Sequence, residues 1–316
     1  MNTIRAAFPW FGGKGSPKIQ KFILENIPSH TAYIEPFGGG ASILLNKEFS
    51  PIEVYNDVNR GIVNFFRVIS DVDYFGKFMA RVALLPVSRE LYEECLRSWP
   101  AIHDPVEQAI RWYYIAQQSF GGIFGVGWGT SVTKLSGGMS MQTHRWRTSF
   151  ENLPKIHDRL QKVQIECADW RDVLKRFSGP GWLAYCDPPY VGGTRKAGGY
   201  EHELHDGDHS ELIATLLKYD GAVLLSGYRN SIYAPLLKAG WDCVEIETTC
   251  SAAPHTKASG LIGKGSIRAQ QRRIECLWRN PEAQHRLAET SANNASISRP
   301  ITPSTGTISP NHREEI

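Results

Sequence analysis

Cysteine is sparse and unpatterned in this chain. Six occur among 316 residues (Cys95, Cys167, Cys186, Cys243, Cys250 and Cys276), and no two stand as CxxC. No Cys/His pair has zinc-finger spacing, which excludes a zinc-finger module. Free thiols in a reducing cytoplasm are expected. Long apolar runs are also missing. None reaches the roughly 20 residues that span a bilayer, and the opening stretch MNTIRAAFPWFGGKG has no apolar h-region of a secretory signal. A cytoplasmic protein without a membrane partner is expected. Charge of one sign is missing too: the formal net charge is only +3. Any basic surface for a polyanion must therefore be local.

One absence is local. Residues 108–150 contain no Asp or Glu, yet carry Arg111, Lys134, Arg145 and Arg147. The same stretch is rich in glycine and in aromatics, among them Trp112, Tyr113, Trp128 and Trp146. It reads as the working part of an inserted, mainly helical subdomain over 81–164. YEECL and VEQAIRWYYIAQQ form its helices, and a glycine-rich loop follows. Trp112 and Tyr113, inside a helical stretch, read as core. Trp128 and Arg145 read as surface groups for a polyanion.

The remainder alternates strands and helices. Segment 31–46 reads strand, glycine turn, helix; 52–69 reads strand, polar turn, helix. Segment 182–190 is an apolar strand ending in Pro-Pro, 209–217 is helical, and 221–228, 242–248 and 273–279 read as later strands. This is an α/β pattern with a mostly parallel, doubly wound, Rossmann-like sheet, whose ligands bind beyond the carboxyl ends of its strands. The main domain comprises 1–80 and 165–281. Residues 282–316 are rich in Ser, Thr, Asn and Pro, and a disordered tail is expected there.

Glu35-Pro36-Phe37-Gly38-Gly39-Gly40 follows a strand. Glycines let a backbone approach a ligand closely, and a following helix N-terminus favours negative charge. Alone, the segment is equally a plain tight turn. Asp57 strengthens it, because about 20 residues after such glycines a carboxylate at a strand end can accept both ribose hydroxyls. The pair points to an adenosine-containing ligand without saying which. FPWFGGK at 8–14 fails the phosphate-loop pattern twice: Phe8 holds the first glycine position, and Gly15 follows the lysine. Lys14 reads either as solvated or as a partner for an amino-acid carboxylate.

Asp187-Pro188-Pro189-Tyr190 ends an apolar strand. Prolines fix φ and offer no N–H, so the Asp187 carboxylate and the Pro188 carbonyl form a set of acceptors. A planar –NH2 group has two hydrogens to give such a set. Accepting both orients the amine and leaves its lone pair free to attack in line. Tyr190 adds a flat face for a base. Alone, the string is equally an ordinary strand end.

The ordered series FPWFGGK (8–14), EPFGGGAS (35–42), YNDVN (55–59), ECADWRDVL (166–174), CDPPY (186–190), VLLSGY (223–228) and RRIECLW (272–278) resembles the Dam-type, D12 class of DNA adenine-N6 methyltransferases. The resemblance implies a Rossmann-like methyltransferase fold, S-adenosylmethionine as methyl donor, and base flipping of an adenine out of duplex DNA. Trp10, Lys14, Glu35, Phe37, Gly38, Gly40, Asp57 and Asp169 would then hold the cofactor, with Asp187 bordering it. Asp187, Pro188, Pro189 and Tyr190 would hold the base. From their own charge and setting, Gln117, Gln118, Trp128, Lys134, Arg145, Arg147, Lys264 and Arg268 are candidates to meet DNA, the last two from a basic, glycine-containing stretch over 257–273 that reads equally as a solvated hairpin loop. A bacterial or phage source is implied, either with a cognate restriction endonuclease or as an orphan.

Two departures stand out. GGG replaces the larger residues the family allows between its glycines, so a looser loop is expected, and 108–150 only loosely matches the family's recognition region. DPPY rather than SPPY places cytosine-N4 methylation second, and a DNA-binding module with a decayed cofactor site third. His202, His205 and His209, near Asp206 and Asp208, are not expected to bind metal, since methyl transfer from a sulfonium needs no Lewis acid.

Overall fold

A computed structural model describes residues 3–191, 204–249 and 272–297. Its centre is a seven-stranded sheet. The strands are β1 (Ala32–Glu35), β2 (Ile52–Asn56), β5 (Gln164–Glu166), β6 (Trp182–Cys186), β7 (Ala222–Gly227), β8 (Asp242–Thr249) and β9 (Arg272–Arg279). They lie in the order β5-β2-β1-β6-β7-β9-β8. All neighbours from β5 to β7 pair in parallel, whereas β9 runs antiparallel to both β7 and β8. β3 (Leu135–Ser136) and β4 (Met139–Ser140) form a separate small hairpin.

The central strands are mostly apolar and buried because both faces are covered. β7, AVLLSG, is buried at every position. Alternate side chains feed two cores. Tyr33, Leu224 and Leu277 enter one, and Ile34, Val223, Leu225 and Trp278 enter the other. The first core lies under α1 (Pro17–Glu25), α2 (Arg60–Ser70) and the inserted helices. The second lies under α8 (Trp170–Arg176), α9 (Asp206–Leu216) and α10 (Ala234–Lys238). The chain runs outward from β1 to β2 and β5, then returns to the centre at β6. The carboxyl ends of β1 and β6 therefore flank the switch point where such sheets open a ligand crevice.

Between β2 and β5 the chain adds α3 (Val72–Val82), α4 (Arg89–Ser98), α5 (Pro105–Gln118), α6 (Met141–Ser149) and α7 (Leu153–Leu160) after α2. The approach of α5 to α2 is close: a Cβ on Gly61 would stand 2.4 Å from the Trp112 indole nitrogen. Trp112 and Tyr113 are core, as their helical setting predicts. Tyr113 stacks on Phe65 with ring centroids 5.2 Å apart, and Trp112 meets Phe8 edge-on at 4.9 Å. The inserted helices thus share the first core of the sheet.

Two expectations need correcting. First, no α-helix follows the glycine turn. Residues 36–47 are successive tight turns, in which Glu35 Oε1 accepts from Leu44 N at 2.7 Å and Ala41 takes a positive φ of 54°. Second, the segment expected to begin a disordered tail is helical over α11 (Pro281–Ile297). Composition averaged over the tail hides a helix-forming start, PEAQHRLAE. Asn280 Oδ1 caps it at Ala283 N (2.9 Å) and also accepts from Val223 N (2.9 Å), while Ala283 is fully buried. Arg286 reaches back to the Pro180 and Trp182 carbonyls. No helix among the described residues is long and apolar enough to cross a membrane.

Candidate active site

Three loops meet beyond the carboxyl ends of β1, β2 and β5, and one buried side chain joins them. Asn56 Nδ2 donates to the Pro36 carbonyl at 2.9 Å and to the Ala168 carbonyl at 3.0 Å, while its Oδ1 accepts from Ala168 N at 2.9 Å. Asn56, and not only Asp57 beside it, is therefore a structural residue of the site. An amide at a buried strand end, able to give and accept at once, is the signal that could have found it.

The glycine turn is tied down on both sides, not loose. Gly38 lies on the Tyr55 ring, where an added Cβ would fall 2.1 Å from a ring carbon. Gly39 has φ +46° and faces the Trp10 indole, with an added Cβ 2.8 Å from its nitrogen. Tyr55 Oη donates to the Gly39 carbonyl at 2.8 Å, and Gly39 N donates to Asp57 Oδ2 at 2.8 Å. Gly38 and Gly39 are steric requirements of two flanking rings. Asp57 Oδ1 also accepts from Asn59 N at 2.9 Å, so one carboxylate orders both loops.

The DPPY segment leaves the end of β6 and meets Lys14. The Lys14 ammonium donates to both Asp187 oxygens, at 2.7 and 2.8 Å, and to the Gly12 carbonyl at 3.1 Å. It also lies 4.8 Å from the centre of the Tyr190 ring. Burial pushes the Asp187 carboxyl upward, and Lys14 draws it back toward ionisation. Tyr190 Oη donates to Glu275 Oε2 at 2.7 Å, and its ring meets Tyr228 edge-on at 4.7 Å. Glu275, from the RRIECLW string, is thus a further site residue, one that no local sequence signal marks.

These groups surround a cavity of about 690 Å³. Trp10, Lys14, Phe37, Gly38, Gly40, Asp57, Asp169 and Asp187 line it, as does Pro189. Asp169 caps α8 by accepting from Arg171 N at 2.8 Å, and its carboxylate is exposed at the cavity edge. Ile123–Val126 of the inserted segment, with Leu96 and Trp99, close the opposite wall. The sequence predicted a glycine-rich working loop there but not its place across the crevice. Glu35 is not on the wall. It is buried beneath the turn, accepting from Tyr33 Oη and Leu44 N, and burial pushes its carboxyl up to about 8. Pro188 is buried and Tyr190 half-buried beside Asp187; neither borders the cavity.

Residues 10–239 match the family model described as D12 class N6 adenine-specific DNA methyltransferase. The chain belongs to that family. Among curated proteins, the DNA adenine methylase of Escherichia coli K12 is 24% identical over 197 residues, covering 60% of this chain and 66% of that protein. The match therefore spans just under two thirds of that relative's length. The DNA N-6-adenine-methyltransferase of Escherichia phage P1 is 22% identical over 214 residues, covering 64% of this chain and 26% of that protein. Among solved structures, a precorrin 8W decarboxylase of Methanobacterium thermoautotrophicum overlays at a TM-score of 0.38 and 9% identity, across 87% of this chain and 96% of that one. The doubly wound sheet described above is the Rossmann-like methyltransferase fold of the D12 family.

The groups expected to meet DNA separate into two sets. Gln118 is fully buried and accepts from Gln142 Nε2 at 2.7 Å; Gln117 is buried with its Nε2 on the Ala7 carbonyl at 2.8 Å. Neither reaches a base edge from there. Arg145 also turns inward, its Nη2 on the Gln117 carbonyl at 2.8 Å. The error has one cause: an acid-free stretch looks basic and polar even where its polar groups cap one another inside a helix pair. Trp128 lies under the Arg89 guanidinium, 4.7 Å from its ring centre, so the exposed Arg89 is the surface group there. Arg147 is exposed and Lys134 half-exposed at the base of the β3–β4 hairpin, whose Gly137 and Gly138 both take positive φ. Lys264 and Arg268 lie outside the described residues, as does His202.

Proposed function

We propose that this chain methylates adenine N6 in duplex DNA, with S-adenosylmethionine as methyl donor. One observation carries the reading: the Asp187 carboxylate opens onto the same cavity as Asp57, Asp169 and the glycine turn. A carboxylate acceptor for an amine and a cradle for an adenosine moiety therefore share one space.

The cavity suits the donor in size and chemistry. Its volume of about 690 Å³ lies within the range of small-molecule sites. Phe37, packed against Trp170 at 6.1 Å between ring centres, offers an apolar face for an adenine ring. Asp57 and Asp169 present carboxylates for hydroxyl and amine hydrogens. Lys14 is the cation nearest the acceptor set and suits a carboxylate at the methionine end. When bound, S-adenosylmethionine supplies an electrophilic methyl group.

The protein's own groups do the rest. Asp187 and the Pro188 carbonyl take the two N–H bonds of the target amine and set its lone pair toward the donor. For this, Lys14 must release at least one Asp187 oxygen and turn toward the cofactor carboxylate. Asp187 then holds the proton that leaves nitrogen. The Tyr190 ring, braced by Glu275 and Tyr228, is the stacking face for the flipped base.

We assign 1–80 and 165–281 to the catalytic domain and 81–164 to target recognition, with Arg89, Lys134 and Arg147 on phosphates. Incubation with unmethylated DNA and labelled cofactor is expected to give N6-methyladenine. Label recovered only as N4-methylcytosine, or no cofactor binding by calorimetry, would overturn the reading.

A further inference from the structure

Among the described residues, strand β8 is the edge of the sheet and pairs with β9. Its register places Glu245 directly opposite Cys276, with Cys243 two residues back on the same face. The ligand atoms of these three side chains all lie within 4.8 Å of one another, and Cys276 Sγ is 3.6 Å from Glu245 Oε1. Among the described residues, no other cluster brings three such groups together. Cys276 is buried, Cys243 half-buried and Glu245 exposed, so the group opens to solvent on one side. Beneath it, Trp278 packs on Tyr233 with ring centres 5.5 Å apart.

We propose that Cys243, Glu245 and Cys276 bind one thiophilic divalent cation, Zn2+ by preference. Tetrahedral bonds of ~2.3 Å to sulfur and ~2.1 Å to a carboxylate oxygen require an S···O edge of about 3.6 Å. The Cys276–Glu245 separation of 3.6 Å already meets that requirement. Two sulfur donors favour a soft ion over magnesium or calcium, which take oxygen. The fourth position faces solvent and takes water.

Charge supports the same site. Two thiolates and one carboxylate around a divalent ion leave one negative charge. Arg229, ion-paired with Glu245, stands where it neutralises that charge. It acts as an outer partner to the bound ion. Binding releases the two thiol protons to solvent, with no change of oxidation state.

The ion would clip the edge strand to β9. The preceding residue of β9, Glu275, holds Tyr190 from the other face of the sheet. The clip therefore fixes the strand on which the DPPY ring leans. Spacing along the sequence gives no sign of it, because strand pairing alone brings the two cysteines together.

The test uses the full-length chain, reduced and chelator-stripped, without DNA or cofactor, so it stands or falls apart from the methylation reading. Titration with Cd2+ is expected to give thiolate-to-metal charge-transfer absorption saturating at one ion per chain, with Zn2+ displacing it. Outer partners to metals are worth about 10- to 100-fold in affinity, so loss of a ligand in Cys243→Ser should cost at least ~100-fold. Glu245→Gln should cost less, and Arg229→Ala less again. Cys243→Ala serves as a second variant, with circular dichroism confirming the fold of each. Absent charge-transfer absorption in the wild type, undiminished binding in both Cys243 variants, or a Cys243–Cys276 disulfide that persists under reduction would each overturn the proposal.

Discussion

The ammonium of Lys14 holds both carboxylate oxygens of Asp187, at 2.7 and 2.8 Å, across 173 positions of sequence. Both side chains are largely buried, with 7% and 17% of their side-chain surface exposed. The pair joins the FPWFGGK string to the DPPY segment, and it sets the charge state of the proposed amine acceptor.

Replacing Asp187 with Ala should abolish methylation while leaving DNA binding largely intact. Asp187→Asn keeps the shape but turns an N–H toward the amine, and a loss of at least ~100-fold in kcat is expected, as for other lost charge-stabilising groups. Single-turnover methylation and DNA gel-shift assays report the two quantities. Turnover within a few-fold of wild type would remove Asp187 from the chemistry.

Lys14→Met should displace the acidic limb of the pH–rate profile to higher pH. Burial raises the Asp187 carboxyl and Lys14 opposes that rise. Without the cation the carboxyl holds its proton to higher pH, and the acceptor form appears only there. An acidic limb that stays in place would show that Asp187 does not govern it.

Gly38→Ala should weaken cofactor binding by ~10-fold or more and lower stability by about 1–3 kcal/mol, the usual cost of overpacking. The added methyl would meet the Tyr55 ring at 2.1 Å. Calorimetry with S-adenosylmethionine and thermal melts check both. The double variant with Tyr55→Leu should recover part of the loss, which a general loop defect would not.

Glu35 gives a stability prediction with a defined sign. Burial pushes its folded-state carboxyl up to about 8, from an unfolded value of 4.5. Between those values the folded chain binds one proton more than the unfolded chain, so stability from this group falls as pH rises from about 4.5 to 8. In Glu35→Gln the amide oxygen can still accept from Tyr33 Oη and Leu44 N. Its stability relative to wild type should therefore grow with pH across that window. Denaturant unfolding at several pH values measures it, and a constant difference would contradict the assignment.

Arg147 and Arg145 should behave differently despite their spacing in the sequence. Arg147→Ala removes an exposed cation and should lower DNA affinity, reducing the slope of log K against log salt by ~0.9 if it contacts one phosphate. Arg145→Ala instead removes a bond to the Gln117 carbonyl at 2.8 Å. Its main effect should be lower melting temperature. A salt slope unchanged by Arg147→Ala would move the DNA surface elsewhere.

The sequence alone determined what is local or stepwise along the chain. Mostly apolar β6 and β7, the Pro-Pro break and the Asp57 strand end can all be read from neighbours, because period and turn chemistry act over a few residues. The order of the strings fixed the family resemblance. Tertiary structure decided what depends on partners far away in sequence. Whether Lys14 is solvated or paired turns on Asp187. Whether Gly38 is merely permissive turns on the Tyr55 ring. Gln118 and Arg145 look like surface groups until the α5–α6 packing turns them inward. Tyr190 gains its anchor, and Cys243 its neighbour, only when β9 inserts antiparallel between β7 and β8. Burial and charge pairing are properties of the assembled sheet and helices, and no window along the chain contains them.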